Sequence, residues 1–253
     1  AFLPDRNRLG KLVLDRSANF QVVGGLPVTP HVRLNSPLVI TGELELKDGE
    51  FFNGSGLTMK SGSRIIRTTD AGFSSTTLVA PAGGPYHIVY RDGIKAGPMV
   101  SGKEGEGTIG ICEVSVSDQV IVASGVGRVG ELRVTSGTAD CSGSVLSADS
   151  VSLSGALLAP ALLQVTGNFR NLGVFNHRSG MVVFGASGKL SGTAETVFNN
   201  LTINGRLNLL NDCRLEGSWK NDGTLMANDR RVTFCGLKGQ RISGSRLTEF
   251  YHL

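Results

Sequence analysis

The sequence predicts an all-β protein, a parallel β-solenoid of short strands and Gly/Asn-rich turns. Three observations carry this. The first is a tandem repeat. Residues 165–184 read VTGNFRNLGVFNHRSGMVVF, and fifty positions on, residues 215–234 read LEGSWKNDGTLMANDRRVTF. Gly167/Gly217, Asn171/Asn221, Gly173/Gly223, Val182/Val232 and Phe184/Phe234 are identical, while Phe169/Trp219 and Arg170/Lys220 are conservative. After a two-residue slip the match resumes, with residues 189–193 (KLSGT) against 241–245 (RISGS), Thr196 and Phe198 against Thr248 and Phe250, and Leu201 against Leu253. Self-similarity at such a period in turn-punctuated sequence is the mark of a solenoid. The second observation is composition: 35 glycines against 8 prolines in 253 residues suits a chain of many tight turns. The third is periodicity, because no segment sustains the i, i+3, i+4 apolar stripe of a helix.

Taken in order, residues 11–14 and 20–23 read as short strands, Pro27 and Pro30 interrupt, and 32–34, 38–40 and 43–46 follow. Glu43-Leu44-Glu45-Leu46 alternates at period two, the pattern of a half-buried strand. Residues 51–52, 57–59 and 65–66 continue the theme. Residues 70–107 break the rhythm, with the turn chemistry of 81–85 and Gly102–Gly107 around a strand at 86–90, and predict an excursion projecting from the main body. From 109 the short strands resume. Residues 157–163 (LLAPALL) have a helical composition, but Pro160 in their middle predicts two strands around a corner. The whole of 1–253 therefore reads as one continuous solenoid with sub-modules 1–107 and 108–253, the latter holding the repeat copies 165–201 and 215–253. Fifty residues predict two coils of roughly 25, and some ten coils stacked at about 4.8 Å make a rod roughly 50 Å long. A β-sandwich pair also accommodates strands at this spacing, and the tandem repeat favours the solenoid.

The net charge of +4 comes from scattered Lys and Arg, with Arg230-Arg231 the sole Arg pair, which predicts a solvated surface and no nucleic-acid partner. No apolar run approaches the roughly 20 residues of a membrane helix, so no membrane insertion is expected. Four cysteines at 112, 141, 213 and 235 form no C-x-x-C, which argues against structural zinc. Cys213 and Cys235 are about one coil apart, so they are either a disulfide between neighbouring coils or two buried thiols. The chain lacks an opening Met and a signal peptide, and its second repeat copy runs to the last residue. Both ends are expected to be cut from something longer.

Catalytic patterns are sparse. Gly125-Val-Gly-Arg-Val-Gly130 matches a dinucleotide fingerprint in letters, but the next seven residues, Glu131 to Gly137, are β-type where a helix is required. Glu104 with Glu106, and Asp48 with Glu50, are spaced for general acid and base work, yet such loop carboxylates are expected to be solvated. Asp140, Asp149 and Asp229 do not cluster with cations at coil spacing, and His31, His87, His177 and His252 lie far apart, with His87 expected at the surface. No catalytic residue, cofactor or metal is predicted. Asn53, Asn171, Asn199, Asn200 and Asn221 are expected to stack as amide ladders at coil corners.

Residues 188–203 (GKLSGTAETVFNNLTI), preceded by 167–175 (GNFRNLGVF) and 182–184 (VVF), resemble the repeat phrases of large secreted or surface bacterial β-solenoid proteins of the type IX secretion pathway. Residues 39–46, 57–66 and 84–90 are similar to the same family. The resemblance implies an extracellular or cell-surface setting and a stalk, filament or adhesin body, with no catalytic residues to carry over. The expected partners are neighbouring repeats or copies of this chain, and a surface polysaccharide. A carbohydrate-active parallel β-helix (lyase or hydrolase) is the alternative, supported by the basic balance, and a trimeric phage or fibre protein is a further one.

Overall fold

A computed structural model describes residues 7–15, 21–23, 26–28, 31–48, 50–52, 56–68, 80–92, 99–123 and 125–252. The protein is a parallel β-solenoid of about ten turns, with 58% of its residues in strands. One short 3-10 turn, Lys103–Glu106, interrupts the strands. The core is a hollow filled by inward side chains at alternate strand positions. One inward column can be followed through ten coils: Leu12, Leu44, Ile65, Ile88, Cys112, Leu132, Val151, Phe169, Leu190 and Leu209 are in-register partners from one strand to the next. All but the partly buried Leu12 are fully buried. Burying each such side chain is worth about 1.5–3 kcal/mol, and the aligned stack repeats that gain coil after coil.

In the second half each coil has three strands and hence three faces. The first face stacks Leu162–Val165, Met181–Phe184, Asn200–Ile203, Trp219–Asn221 and Ile242–Ser243. The second stacks Phe169–Asn171, Gly188–Gly192, Arg206–Leu209 and Thr224–Met226. The third carries Ala156–Leu158 under Val174–Asn176, then Val197–Phe198, Cys213–Leu215 and Val232–Phe234. Partners in successive coils are 17 to 23 residues apart, most often 18 or 19, as for Ala156 on Val174, Leu162 on Met181 and Leu201 on Trp219.

This corrects the expected coil of roughly 25 residues. The fifty-residue repeat is not two coils. Eight strands separate the start of Phe169–Asn171 from that of Trp219–Asn221, which is two turns and two strands over. The second copy is therefore rotated by one face: Phe169 stands on the second face and its counterpart Trp219 on the first, Phe184 on the first and Phe234 on the third. The two-residue slip falls in loops and leaves this offset unchanged.

The described parts of 70–107 are not a projection. Tyr86–Arg91 lies between Arg64–Arg67 and Ile109–Val122 in the same parallel ladder, and Met99–Val100 pairs with Ile121 and Val122. Tyr86, Ile88 and Tyr90 supply inward side chains to the core, so burial keeps this turn-rich stretch in the rod. Residues 69–79 and 93–98 lie outside the described residues. The corner at Pro160 is as expected, with strands Ala156–Leu158 and Leu162–Val165 on either side.

The identities of the repeat build one device twice. Asn171 is buried, its Nδ2 donates to Glu195 O and Thr196 Oγ1 (both 3.1 Å), and its Oδ1 accepts from Gly173 N. Asn221 does the same with Leu247 O, Thr248 Oγ1 and Gly223 N. Gly192 and Gly244 sit beside these carboxamides at φ 130° and 134°, where a Cβ would strike Asn171 O or Asn221 O. These amides clasp backbone of the next coil and do not stack on one another, which replaces the expected Asn ladder. Asn199 likewise donates to Ser179 O, and Asn200 accepts from Ser218 N. Asn53 lies outside the described residues.

Candidate functional site

Two places concentrate polar chemistry. The first is inside the rod. Arg67 ends the strand Arg64–Arg67 at an inward position, in register between Leu46 and Tyr90. A cation there requires a counter-charge, since an unpaired buried ion is prohibitively costly. The 3-10 turn Lys103–Glu106 delivers it. Arg67 Nη1 donates to Glu104 Oε1 at 2.5 Å and to Val100 O at 2.7 Å. Glu104 Oε1 also accepts from Gly102 N at 2.9 Å, and Tyr86 Oη donates to the Glu104 carbonyl at 2.7 Å. The guanidinium lies 5.7 Å from the centre of the Tyr90 ring. Burial, and secondarily the Glu104 carboxylate, push both tyrosine hydroxyls well above their usual range. Glu104 Oε2 has no hydrogen-bond partner among the described residues.

Glu104 is thus not the solvated carboxylate expected from its loop. Its side chain is 0% exposed and that of Arg67 3%, so no substrate reaches them. Glu106, its sequence neighbour, is exposed and pairs with Lys103 at 2.6 Å. The two carboxylates point into different environments and cannot share an acid–base task. The interior cluster is a clamp tying one coil to the turn above it. Sequence reading missed Arg67. The alignment of Glu43–Leu46 with Arg64–Arg67, once coil length is known, places it inward.

The second place is outside, on the second face. Outward positions there stack Ser187 on Arg206 and Lys189 on Asn208, flanking the inward pairs Gly188–Leu207 and Leu190–Leu209. Asn168 precedes Phe169, the partner of Leu190, and so sits over Lys189. Asn168, Ser187, Gly188, Lys189, Arg206 and Asn208 line a shallow cavity of about 220 Å³. No carboxylate lines it. Asn208 Oδ1 accepts from Asn228 Nδ2, which orients the carboxamide and leaves its own Nδ2 as a donor. Arg170, two residues from Asn168 and exposed, adds a third cation on the same face. The cavity is a set of donors and positive charge, suited to holding an anion or hydroxyl oxygens.

The remaining candidates are dispersed. All four cysteines are free. Cys213 pairs with Val232 and is buried, whereas Cys235 follows Phe234, is half-buried, and sends its Sγ toward Leu215 O. Their positions are out of register, which replaces the disulfide alternative with two thiols. Burial, with a smaller contribution from Asp212, pushes the Cys213 thiol up to about 12. Gly125–Gly130 leads straight into the strand Arg128–Asp140, so no helix N-terminus is there to hold a phosphate. His87 is outward and half-buried, and its Nδ1 has no partner among the described residues. Burial first, then Arg64 and Arg133, lower its pKa. Asp48 is half-buried, while the side chain of Glu50 lies outside the described set. Among the described residues no group of three or more His, Cys, Asp or Glu gathers as a metal site. No protein-family model, curated protein or solved structure matches the chain.

Proposed function

We propose that this chain is a non-enzymatic β-solenoid segment: a spacer, filament or adhesin body of a secreted or surface-anchored bacterial protein. The observation that carries the reading is the inward column running in register through ten coils. Each coil buries its side chains against its neighbours only, so length is modular and reach is set by coil number. The repeat phrases at 167–175 and 188–203 support the extracellular setting by resemblance.

Coil excision tests it. Deleting residues 145–161, the span between Val145 and its partner Leu162, removes one whole coil. A spacer tolerates this: the shortened chain keeps its β-type circular dichroism and is shorter by about 4.8 Å in solution scattering. Deleting 145–153 leaves the strands out of phase and unfolds the following coils. Release of unsaturated uronates or new reducing ends from acidic polysaccharides by the purified chain, abolished by a single substitution, would overturn the non-enzymatic reading. Confinement of the parent protein to the cytoplasm would overturn the extracellular one.

A further inference from the structure

The outward charges of the second face divide along the rod. In the N-terminal coils two cations on this ladder are neutralised, while Arg64, also exposed, makes no ion pair among the described residues. Lys11 reaches Glu43 at 2.7 Å and Glu45 at 3.2 Å, and Arg133 reaches Glu131 at 2.7 Å and Glu113 at 3.4 Å. Farther along, Arg170, Lys189 and Arg206 stand on three successive coils of the same ladder, all exposed. None of the three makes an ion pair among the described residues, although exposed cations elsewhere on the rod do, such as Arg214 with Glu195 at 3.2 Å.

The three cations follow one another diagonally, each two residues out of register with the next and about 7–8 Å from it, and the sequence has placed no acid to relieve them. The cavity of about 220 Å³ lies among them, and its other outward side chains are the uncharged donors Asn168, Ser187 and Asn208. The Asn208 carboxamide is held from behind by Asn228, which also donates to Leu209 O at 3.0 Å. A surface that concentrates positive charge and fixed amide donors, with no acceptor charge of its own, is complementary to an anion bearing hydroxyl groups.

We propose that Arg170, Lys189 and Arg206, with Asn168, Ser187 and Asn208, form a binding site for an anionic oligosaccharide, one bearing carboxylate or sulfate ester groups. The sugar chain runs obliquely across the three coils. An extended pyranose chain advances by ~5 Å per residue, comparable to the strand spacing, so three to four sugars span the two diagonal steps of about 7–8 Å between the cations. The cations take the anionic groups, Arg in bidentate fashion, and the amides take ring hydroxyls. Nucleic acid fits less well, because the lining includes no aromatic ring on which a base could stack. The site goes beyond a spacer role and stands whether or not the rod also serves as one.

Isothermal titration calorimetry on the chain tests the proposal, with tetragalacturonate, a chondroitin sulfate tetrasaccharide, neutral cellotetraose and a thymidylate tetramer as probes. At least one acidic saccharide binds, more weakly as salt is raised, and cellotetraose binds about tenfold more weakly or not at all. Which acidic probe binds identifies the charged group. Lys189→Gln and Arg206→Gln each weaken binding by about tenfold or more, the loss expected of a charged hydrogen bond. Lys60→Gln, at an exposed cation on a distant coil, leaves binding unchanged, and unaltered thermal melting shows that the variants fold. The proposal is overturned if neither acidic saccharide binds, if cellotetraose binds equally well, if the K189Q/R206Q double variant retains full affinity, or if thymidylate binds more tightly through the same residues.

Discussion

Replacing Glu104 by Leu tests the interior clamp most directly. The substitution takes the Glu104 carboxylate away from the Arg67 guanidinium, which stays in the core, 3% exposed, donating to Val100 O. It also strips Gly102 N of its acceptor. Removing one partner of a buried ion pair costs about 3–5 kcal/mol, chiefly because the remaining charge is uncompensated. Arg67→Met makes the complementary error, leaving the carboxylate with only Gly102 N and the distant Tyr90 hydroxyl at 3.5 Å. The double variant removes both charges and places two apolar side chains beside Leu46 and Tyr90, in a second inward column. Buried pairs replaced in this way are often neutral in stability, so the double variant falls within about 1–2 kcal/mol of the wild type and the coupling energy is about 3 kcal/mol or more. Because coils contact only their neighbours, the damage is local. Hydrogen exchange is the fitting assay. Either single variant speeds exchange in Tyr86–Arg91 and Ile109–Val122 by about a hundredfold, while Trp219–Asn221, several coils away, is unaffected. A Glu104→Leu effect below about 1 kcal/mol, or additive single effects, would refute the clamp.

Other consequences are open to simpler measurements. The lowered pKa of His87 means that the unfolded chain takes up the proton first, so stability falls as pH drops below 6.5 toward the folded value. His87→Gln removes that part of the slope in urea midpoints measured across this range, and an unchanged slope would contradict it. Asn171→Ala strips Gly173 N of its acceptor and Glu195 O of its donor, for a loss of about 1–3 kcal/mol. Asn221→Ala costs less, because its clasp holds a segment whose Leu247 is 79% exposed; equal shifts in melting would contradict this ordering. Among the thiols, Cys235 reacts first with maleimide in the native state and Cys213, raised to about 12, only after unfolding. Faster labelling of Cys213 would place it outside the core.

The strand content, the turns and the stacking direction were legible because they are local: alternation in Glu43–Leu46, glycine at bends, Pro160 at a corner. Coil length was not legible. The sequence repeats at the level of eight strands while the backbone closes every three, and nothing in the letters of residues 165–184 marks where a coil ends. The same gap hid the clamp. Arg67 and Glu104 are 37 positions apart, and each looks solvated among its own neighbours, Arg64–Thr68 and Gly102–Gly107. Only the ladder from Leu46 through Arg67 to Tyr90 turns Arg67 inward. The cation groove was hidden for the opposite reason. Arg170, Lys189 and Arg206 are dispersed in sequence and become neighbours on one face only through the coil register, 21 residues at Arg170 and 19 at Lys189.

The one-face rotation of the repeat also limits the groove. Arg170 has Lys220 as its counterpart in the second copy, and Lys189 has Arg241. Had the repeat been a whole number of coils, these would have extended the cation stripe along the second face. Instead Lys220 lies in a first-face strand, where it pairs with Asp222 at 2.6 Å, and Arg241 immediately precedes Ile242 on that same face. Asp222 stands where the first copy has Leu172, so the relocated cation has also acquired a neutralising partner. On the second face the coil after Arg206 and Asn208 presents Thr224 and Met226, which carry no charge. The positive stripe therefore spans three coils and stops at both ends, at Ser152 on one side and at Thr224 on the other. A site of that length distinguishes a built groove from general polyelectrolyte attraction. Affinity for acidic oligosaccharides should rise up to about three or four sugars, the number that spans two diagonal steps of about 7–8 Å, and then level off. Affinity that climbs steadily with longer chains would instead indicate charge attraction spread over the whole rod.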